Sequence, residues 1–422
     1  MRVAMWGVGK LGLPVSVVIA LKGHKVFAYD SDKGKLEKYR AGNPDTGSYE
    51  PSLKEKLREA LKTGNLIFCD TPKQLWNNVP SIIFIAVPTP SKEDNSFDTS
   101  YVKQALRDIN TLPRDDGYYP IIAIISTILP MTTRNEFALL VRYPVVYNPF
   151  FIAMSTVCED YKAPEFVLLG YENLGATTNK ERSTMIDFYK KIYADEAVQP
   201  PLLHMTWEEA EVCKMTYNTM IGAKIIIGNT IMEMCHHIPH ANCDTIVNAF
   251  KYATKRIVGT KYLRGGMADA GLCHPRDNRA LGYLCNKLDV SANIFDFIME
   301  ARDYQSGWIA YLLTQHDLPI VILGKRFKAD SNLIDESGSI LVADIVKTMG
   351  GEVRFHDPML NLEYYPNTPH TFLAAIDEGW TTMYPYPTGS IVYDVWRRFN
   401  SETIENLKQR NITYIAVGRG TQ

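Results

Sequence analysis

"MRVAMWGVGKLGLPVSVVIALKGHKVFAYDSD", residues 1–32, decides the fold. Arg2 to Trp6 read as a short strand, the glycines that follow as a tight turn, the apolar run after them as a helix, and Val26 to Tyr29 as a second strand running into Asp30. Gly7, Gly9 and Gly12 supply G-x-G-x-x-G. Glycines alone are weak evidence, since an ordinary strand, turn and helix with small residues would also show them. Here a strand precedes them, a helix follows, and an acid stands about 20 residues on, the context a dinucleotide-binding unit requires. Gly7 permits the turn, Gly9 lets the backbone approach a pyrophosphate, and Gly12 allows close helix packing, with Lys10 and Leu11 between them. Asp30 would accept hydrogen bonds from the adenosine ribose and repel a 2′-phosphate, so NAD is expected rather than NADP. Lys35, shortly after it, falls within the same expected cofactor site.

Strand-like runs recur at "SIIFIAVPTP", "IIAIIST" and "PVVYNP", with helical stretches between. Such alternation predicts a mostly parallel sheet covered on both faces. From Trp207 to Ile238 no proline interrupts apolar residues at helical spacing, which predicts one helix of roughly 30 residues and about 45 Å. Pro239 would stop it, and its length suggests a spine between domains and a dimer face. Beyond it, "PIVILG", "EVRFHDP", "SIVYDVW" and "TYIAV" begin a second strand-and-helix series. The expected fold class is therefore α/β, with two Rossmann-like doubly wound parallel-sheet domains joined by a central long-helix segment. Boundaries are placed at 1–200, 201–300 and 301–422.

The 422 residues carry a formal net charge of −2, with 46% hydrophobic and 22% charged side chains. No global basic field recruits nucleic acid or an anionic membrane, so neither is an expected partner. No apolar run reaches the roughly 18 to 20 residues that span a bilayer, and a cytosolic location is expected. Seven scattered cysteines argue against a disulfide framework.

"AGLCHPRDNRAL", residues 270–281, gives one of those cysteines special surroundings. Pro275 suits the first turn of a helix, so Cys273 would sit beside unpaired amides at its positive end, with Arg276 and a protonated His274 adding positive potential. Such a setting favours the nucleophilic thiolate. Asp277, in or near the first turn, could hold a water or a substrate hydroxyl. The alternative is one more thiol filling a core, which is the reading for the other six cysteines. Lys214 and Asn218, one turn apart on the long helix, could stabilise an oxyanion together, or be a solvated pair. "CHHIPHANC", residues 235–243, has the residue types of a metal site, but Pro239 interrupts its H-x-x-x-H spacing; it reads as a helix end and no metal is expected.

These segments together resemble the UDP-glucose/GDP-mannose dehydrogenase superfamily, whose members oxidise nucleotide sugars at the C6 alcohol with NAD. "GVGKLGLP", "YEPSL" (49–53), "FIAVPTP", "DTSYV" (98–102) and "STILPMTT" (126–133) match its N-terminal motifs in order. "AEVCKMTYNTMIGAKI" (210–225) fits A-E-x-x-K-x-x-x-N, and "GLCHPRDNRAL" fits G-S-C-F-P-K-D-x-x-A-L. "ILGKRFKADSNLIDES" resembles the start of the third domain.

The resemblance implies that Cys273 traps the aldehyde as a thiohemiacetal, that a second oxidation gives a thioester, and that water releases the acid. Lys214 and Asn218 would steady oxyanions, and Thr127 and Asp277 would orient the water. It further implies that Val87, Pro88, Thr89, Ser126 and Thr127 join the NAD site, and that Asn148, Phe151, Lys214, Asn218, Gly271, Phe327 and Lys328 bind the nucleotide-sugar substrate. A homodimer is implied too. The departures are specific. Phe150 and Met154 stand at two family glutamates, the second a proposed base for thioester hydrolysis, and Ala153 stands at an arginine. Asp269 replaces an aromatic residue, and Asp335 stands where an arginine faces the substrate pyrophosphate, a charge that Arg326 could offset. Two rivals therefore remain: a two-electron dehydrogenase of the same fold acting on another alcohol or stopping at the aldehyde or ketone, and a non-catalytic nucleotide-sugar binding protein.

Overall fold

The structure, a computed structural model, describes residues 1–113, 117–175, 179–196, 198–254, 262, 264–287, 289 and 293–419. Contacts divide the chain into two compact units, Met1–Thr216 and Tyr217–Gln422, with the boundary inside the long helix.

The first unit is built on one eight-stranded sheet. In chain order its strands are β1 Arg2–Trp6, β2 Lys25–Tyr29, β3 Leu66–Cys69, β4 Ile82–Ile85, β5 Ile121–Ile124, β6 Val145–Tyr147, β7 Val167–Tyr171 and β8 Leu202–Thr206. Their spatial order is β3-β2-β1-β4-β5-β6-β7-β8. All pairs are parallel except β6 with β7, which meet antiparallel at Tyr147 and Gly170. The sequences IIFI of β4 and IIAI of β5 are buried at every position, as befits strands covered on both faces. One face packs around Val3, Met5, Leu13 and Phe84, the other around Trp6, Ile83, Ile85 and Trp76. The helix Gly12–Leu21 is apolar nearly all round because it lies wholly inside, buried from Gly12 to Ala20.

The second unit holds a five-stranded parallel sheet: β9 Ile320–Leu323, β10 Val353–His356, β11 Thr371–Ala374, β12 Ile391–Asp394 and β13 Thr413–Ala416, ordered β10-β9-β11-β12-β13. Its start repeats the logic of the first sheet. Gly7 follows β1 with φ +95° and donates to Tyr29 O at 2.8 Å; Gly324 follows β9 with φ +102° and donates to His356 O at 2.8 Å. Asp30 then accepts the N–H of Val8 at 3.0 Å, and Asp357 accepts those of Lys325 and Arg326 at 2.8 and 3.2 Å.

The long helix runs Trp207–His237, 31 residues, as the uninterrupted apolar pattern predicts. The turn carrying Pro239 follows its last residue. No helix among the described residues is long and apolar enough to cross a membrane.

Candidate active site

In the first unit the expected cofactor residues gather where β1, β2, β4 and β5 end. A Cβ on Gly7 would stand 2.6 Å from Ala86 O, and one on Gly12 only 2.0 Å from Gly7 O, so turn and helix approach as closely as backbone permits. Lys10 and Leu11 lead into the helix. Nothing lies within 4 Å of where a Gly9 side chain would be, which leaves room for a diphosphate against the backbone. Asp30 Oδ1 accepts the Asp32 N–H at 3.0 Å, and Lys35 Nζ stands 3.5 Å from Oδ2. After β4 come Val87, Pro88 and Thr89; after β5, Ser126 and Thr127. Ser126 Oγ donates to Val87 O at 2.6 Å and Thr89 Oγ1 to Thr127 O at 2.8 Å, fastening the two loops together. The strand order reverses between β1 and β4, the place where open α/β sheets bind ligands. The open space at Gly9 and the acid at the end of β2 fit a dinucleotide.

The long helix enters this unit with a group that sequence reasoning missed. Glu211 is fully buried and accepts the N–H groups of Met131 at 2.7 Å and Thr133 at 2.8 Å. Burial pushes its carboxyl up to about 7 against the pull of those bonds. Its place one turn before Lys214 was visible, but no local signal marks the loop it holds. Lys214 Nζ donates to Phe150 O at 2.8 Å and lies 4.7 Å from the Phe151 ring centroid. Phe150, Phe151, Tyr161, Phe166 and Tyr189 line an open, mostly apolar cavity of about 260 Å³. Asn148, expected at the substrate, sits beside this cavity's Tyr189. It is fully buried, its amide donates to Leu168 O at 2.9 Å, and its oxygen accepts from the Tyr189 hydroxyl.

In the second unit Cys273 stands at the head of the helix His274–Lys287, its carbonyl accepting the Asp277 N–H at 2.8 Å. Pro275 occupies the first turn, where its missing N–H leaves no bond unmade. The Asp277 carboxylate is buried; Oδ2 accepts from Asn218 Nδ2 at 2.6 Å and Oδ1 from Arg276 Nε at 2.9 Å. None of the seven cysteines is in a disulfide, and Cys273 is partly exposed. Burial pushes Cys69 up to about 11 and Cys158 to about 12, and raises Cys213, Cys235, Cys243 and Cys285, which suits all six to packing rather than attack.

Gly271 and Phe327, both expected at the substrate, are brought together: a Cβ on Gly271 would stand 2.8 Å from the Phe327 ring. Lys328 Nζ lies 5.6 Å from that ring's centroid. Arg326 is corrected, because it cannot offset Asp335. Only 1% of its side chain is exposed, with Nε on Asp357 Oδ1 at 2.9 Å and Nη1 and Nη2 on Glu378 at 2.9 and 2.6 Å. Two carboxylates already consume its charge. Among the described residues no three His, Cys, Asp or Glu side chains gather as a metal site, and Cys235 and Cys243 are buried.

Residues 1–193 match the NAD-binding domain of the UDP-glucose/GDP-mannose dehydrogenase family, and residues 208–303 match its central domain. The chain belongs to this family. NAD is its cofactor, and it is an NAD-dependent nucleotide-sugar dehydrogenase. Among similar members, GDP-mannose 6-dehydrogenase of Pseudomonas aeruginosa is 28% identical over 376 residues, covering 86% of this chain and 82% of that protein. UDP-glucose 6-dehydrogenase of Rhizobium meliloti is 27% identical over 372 residues, covering 85% and 82%. A solved UDP-glucose dehydrogenase from Pyrobaculum islandicum superposes with a TM-score of 0.84 at 26% identity, covering 99% of this chain and 98% of that one. This family member therefore shares the two Rossmann-like domains of that structure.

Proposed function

We propose that the chain oxidises the C6 alcohol of a nucleotide sugar to the uronic acid through a thiohemiacetal and then a thioester on Cys273. The observation that carries this reading is the head of the Cys273 helix, where the Cys273 carbonyl accepts the Asp277 N–H and the first-turn Asp277 carboxylate accepts from the Asn218 amide. The Gly7–Gly12 turn, Asp30 and the loops bearing Val87–Thr89 and Ser126–Thr127 would hold NAD; the chemistry it supplies when bound is acceptance of a hydride, once per oxidation. Cys273 sulfur adds to the aldehyde carbon and leaves negative charge on oxygen. Asn218, and Lys214 one turn earlier on the same helix, steady that charge. Covalent capture keeps the aldehyde on the protein until the second oxidation. Asp277 orients water for release of the acid, a role for which Thr127 is the second candidate. Phe151, Gly271, Phe327 and Lys328 hold the substrate, Lys328 at its nucleotide end.

Phe150 and Met154 favour a second reading, a two-electron dehydrogenase, because neither side chain can take a proton from water at the two positions where the family has glutamates. Counting NADH formed per molecule consumed, over a panel of UDP, GDP and TDP sugars, separates the two. The first reading expects two NADH, with the second oxidation lost in Cys273→Ala; one NADH from the parent chain overturns it. No NAD reduction on any sugar would favour a binding protein.

A homodimer along the long helix is supported by exposed Val212, Met220 and Ile227, spaced about two turns apart on one face. A monomer by light scattering at working concentration counts against it. A cytosolic location is consistent with seven cysteines of which none is in a disulfide.

A further inference from the structure

We propose that Asp269 and His274 form a general-base pair for hydrolysis of the Cys273 thioester, with His274 taking the proton of the attacking water. The assignment rests on the acyl-enzyme reading above and supplies its missing step. Residues 149–154, Pro-Phe-Phe-Ile-Ala-Met, contain no titratable side chain. Asp277, held by Asn218 on one oxygen and by Arg276 at 2.8 Å on the other, keeps spare lone pairs to orient a water but is the charge partner of Arg276 rather than a free base. His274 is the next residue after Cys273, so their Cα atoms are about 3.8 Å apart.

Its ring is held for the task. His274 Nδ1 lies 2.9 Å from Asp269 Oδ1; the aspartate side chain is 0% exposed and the imidazole 21%. A carboxylate can only accept, so Nδ1 carries the hydrogen and Nε2 of the neutral ring is the basic nitrogen. Asp269 is itself anchored, its carbonyl accepting from Arg302 Nε at 2.7 Å, while Arg302 and Arg279 are both paired with Glu336. The second carboxylate oxygen, Asp269 Oδ2, is buried with no hydrogen-bond partner beside Gly222 and Asn278. Its charge is therefore left to act on the imidazole. The Tyr262 ring meets His274 edge-on at 6.3 Å. The charged groups around His274 are thus Asp269 from the preceding loop, Arg276 and Asp277 on its own helix, and Arg302 behind Asp269. This is the base-and-orienter geometry that lets a histidine activate a nucleophile.

In the step, water oxygen bonds to the thioester carbon as its proton passes to Nε2. The tetrahedral adduct then breaks its C–S bond, freeing Cys273 as thiolate and the product as a carboxylic acid, which loses its proton. No electrons are exchanged.

Two measurements test it. With NAD and the sugar found by the panel, His274→Gln is expected to reduce NAD in a first-turnover burst, then turn over about 100-fold or more slowly, with added mass on Cys273 in the intact protein. Asp269→Asn is expected to act in the same direction; should it fail to fold, His274→Gln decides. Wild-type turnover without accumulated adduct in His274→Gln overturns the proposal. The second measurement needs no substrate: the rate at which iodoacetamide alkylates Cys273, read by peptide mass between pH 5 and 8. An inflection in the parent chain that His274→Gln lacks supports the pairing, and superimposable profiles overturn it. A parent chain that gives no second NADH fails the acyl-enzyme reading instead, and the alkylation profile still decides whether His274 bears on Cys273.

Discussion

Asn218 Nδ2 donates to Asp277 Oδ2 at 2.6 Å, so a buried amide on the long helix holds a buried carboxylate in the first turn of the Cys273 helix. Asn218→Leu would leave that carboxylate one bond short, at a cost of about 1–3 kcal/mol by denaturant titration. Asn218→Asp is expected to cost more, because it sets a second acid against the first. Both should lower kcat more than they raise KM for NAD, since Asn218 is proposed to act on the oxyanion of the Cys273 adduct.

Glu211 makes stability depend on pH. Its folded-state value of about 7 stands above the ordinary carboxylate range, so its contribution is fully present below about pH 4.5 and is lost as pH rises through 7. Glu211→Gln carries no such charge. Its stability relative to the parent should therefore improve between pH 5 and pH 8, by at most about 3 kcal/mol. Melting temperatures of both proteins at the two pH values check this; a constant difference would mean Glu211 does not titrate in that window.

The cofactor crevice makes two separable demands. Gly12→Ala puts a methyl group 2.0 Å from Gly7 O and should cost about 1–3 kcal/mol while abolishing NAD binding. Asp30→Ser should leave the fold intact and narrow the preference for NAD over NADP, because the acid that repels a 2′-phosphate is gone. Calorimetric titration with each dinucleotide reads both effects.

Arg326 and Lys328, two residues apart, should behave oppositely. Arg326→Met strands the Asp357 and Glu378 carboxylates and is expected to cost about 3–5 kcal/mol. Lys328→Met should change stability by no more than about 0.5 kcal/mol and raise KM for the nucleotide sugar. Equal stability losses in the two variants would put Lys328 in the scaffold.

The first crevice and the long helix were legible because each is written in local spacing: glycines two and three apart between two apolar strands, and 31 residues without a proline. Cys273 and Asp277 were legible as the cap and first turn of one helix. Pairings between distant segments were not. Nothing near Glu211 announces the amides of Met131 and Thr133, and His274 read as a source of positive potential until the fold laid Asp269 against it. Arg326 misled because "GKRFK" shows three cations without showing that the middle one faces two acids. The bonds of Asn148 to a tyrosine and a main-chain carbonyl were equally invisible in the sequence.

The guanidinium of Arg326, locked beneath the Gly324 turn, gives the second strand-glycine-acid crevice a permanent occupant made of protein. That half of the molecule needs no dinucleotide to complete its interior, whereas the Gly7 crevice leaves the space beside Gly9 open to an exchangeable one. A binding isotherm should accordingly saturate at one NAD per chain, despite the duplicated architecture.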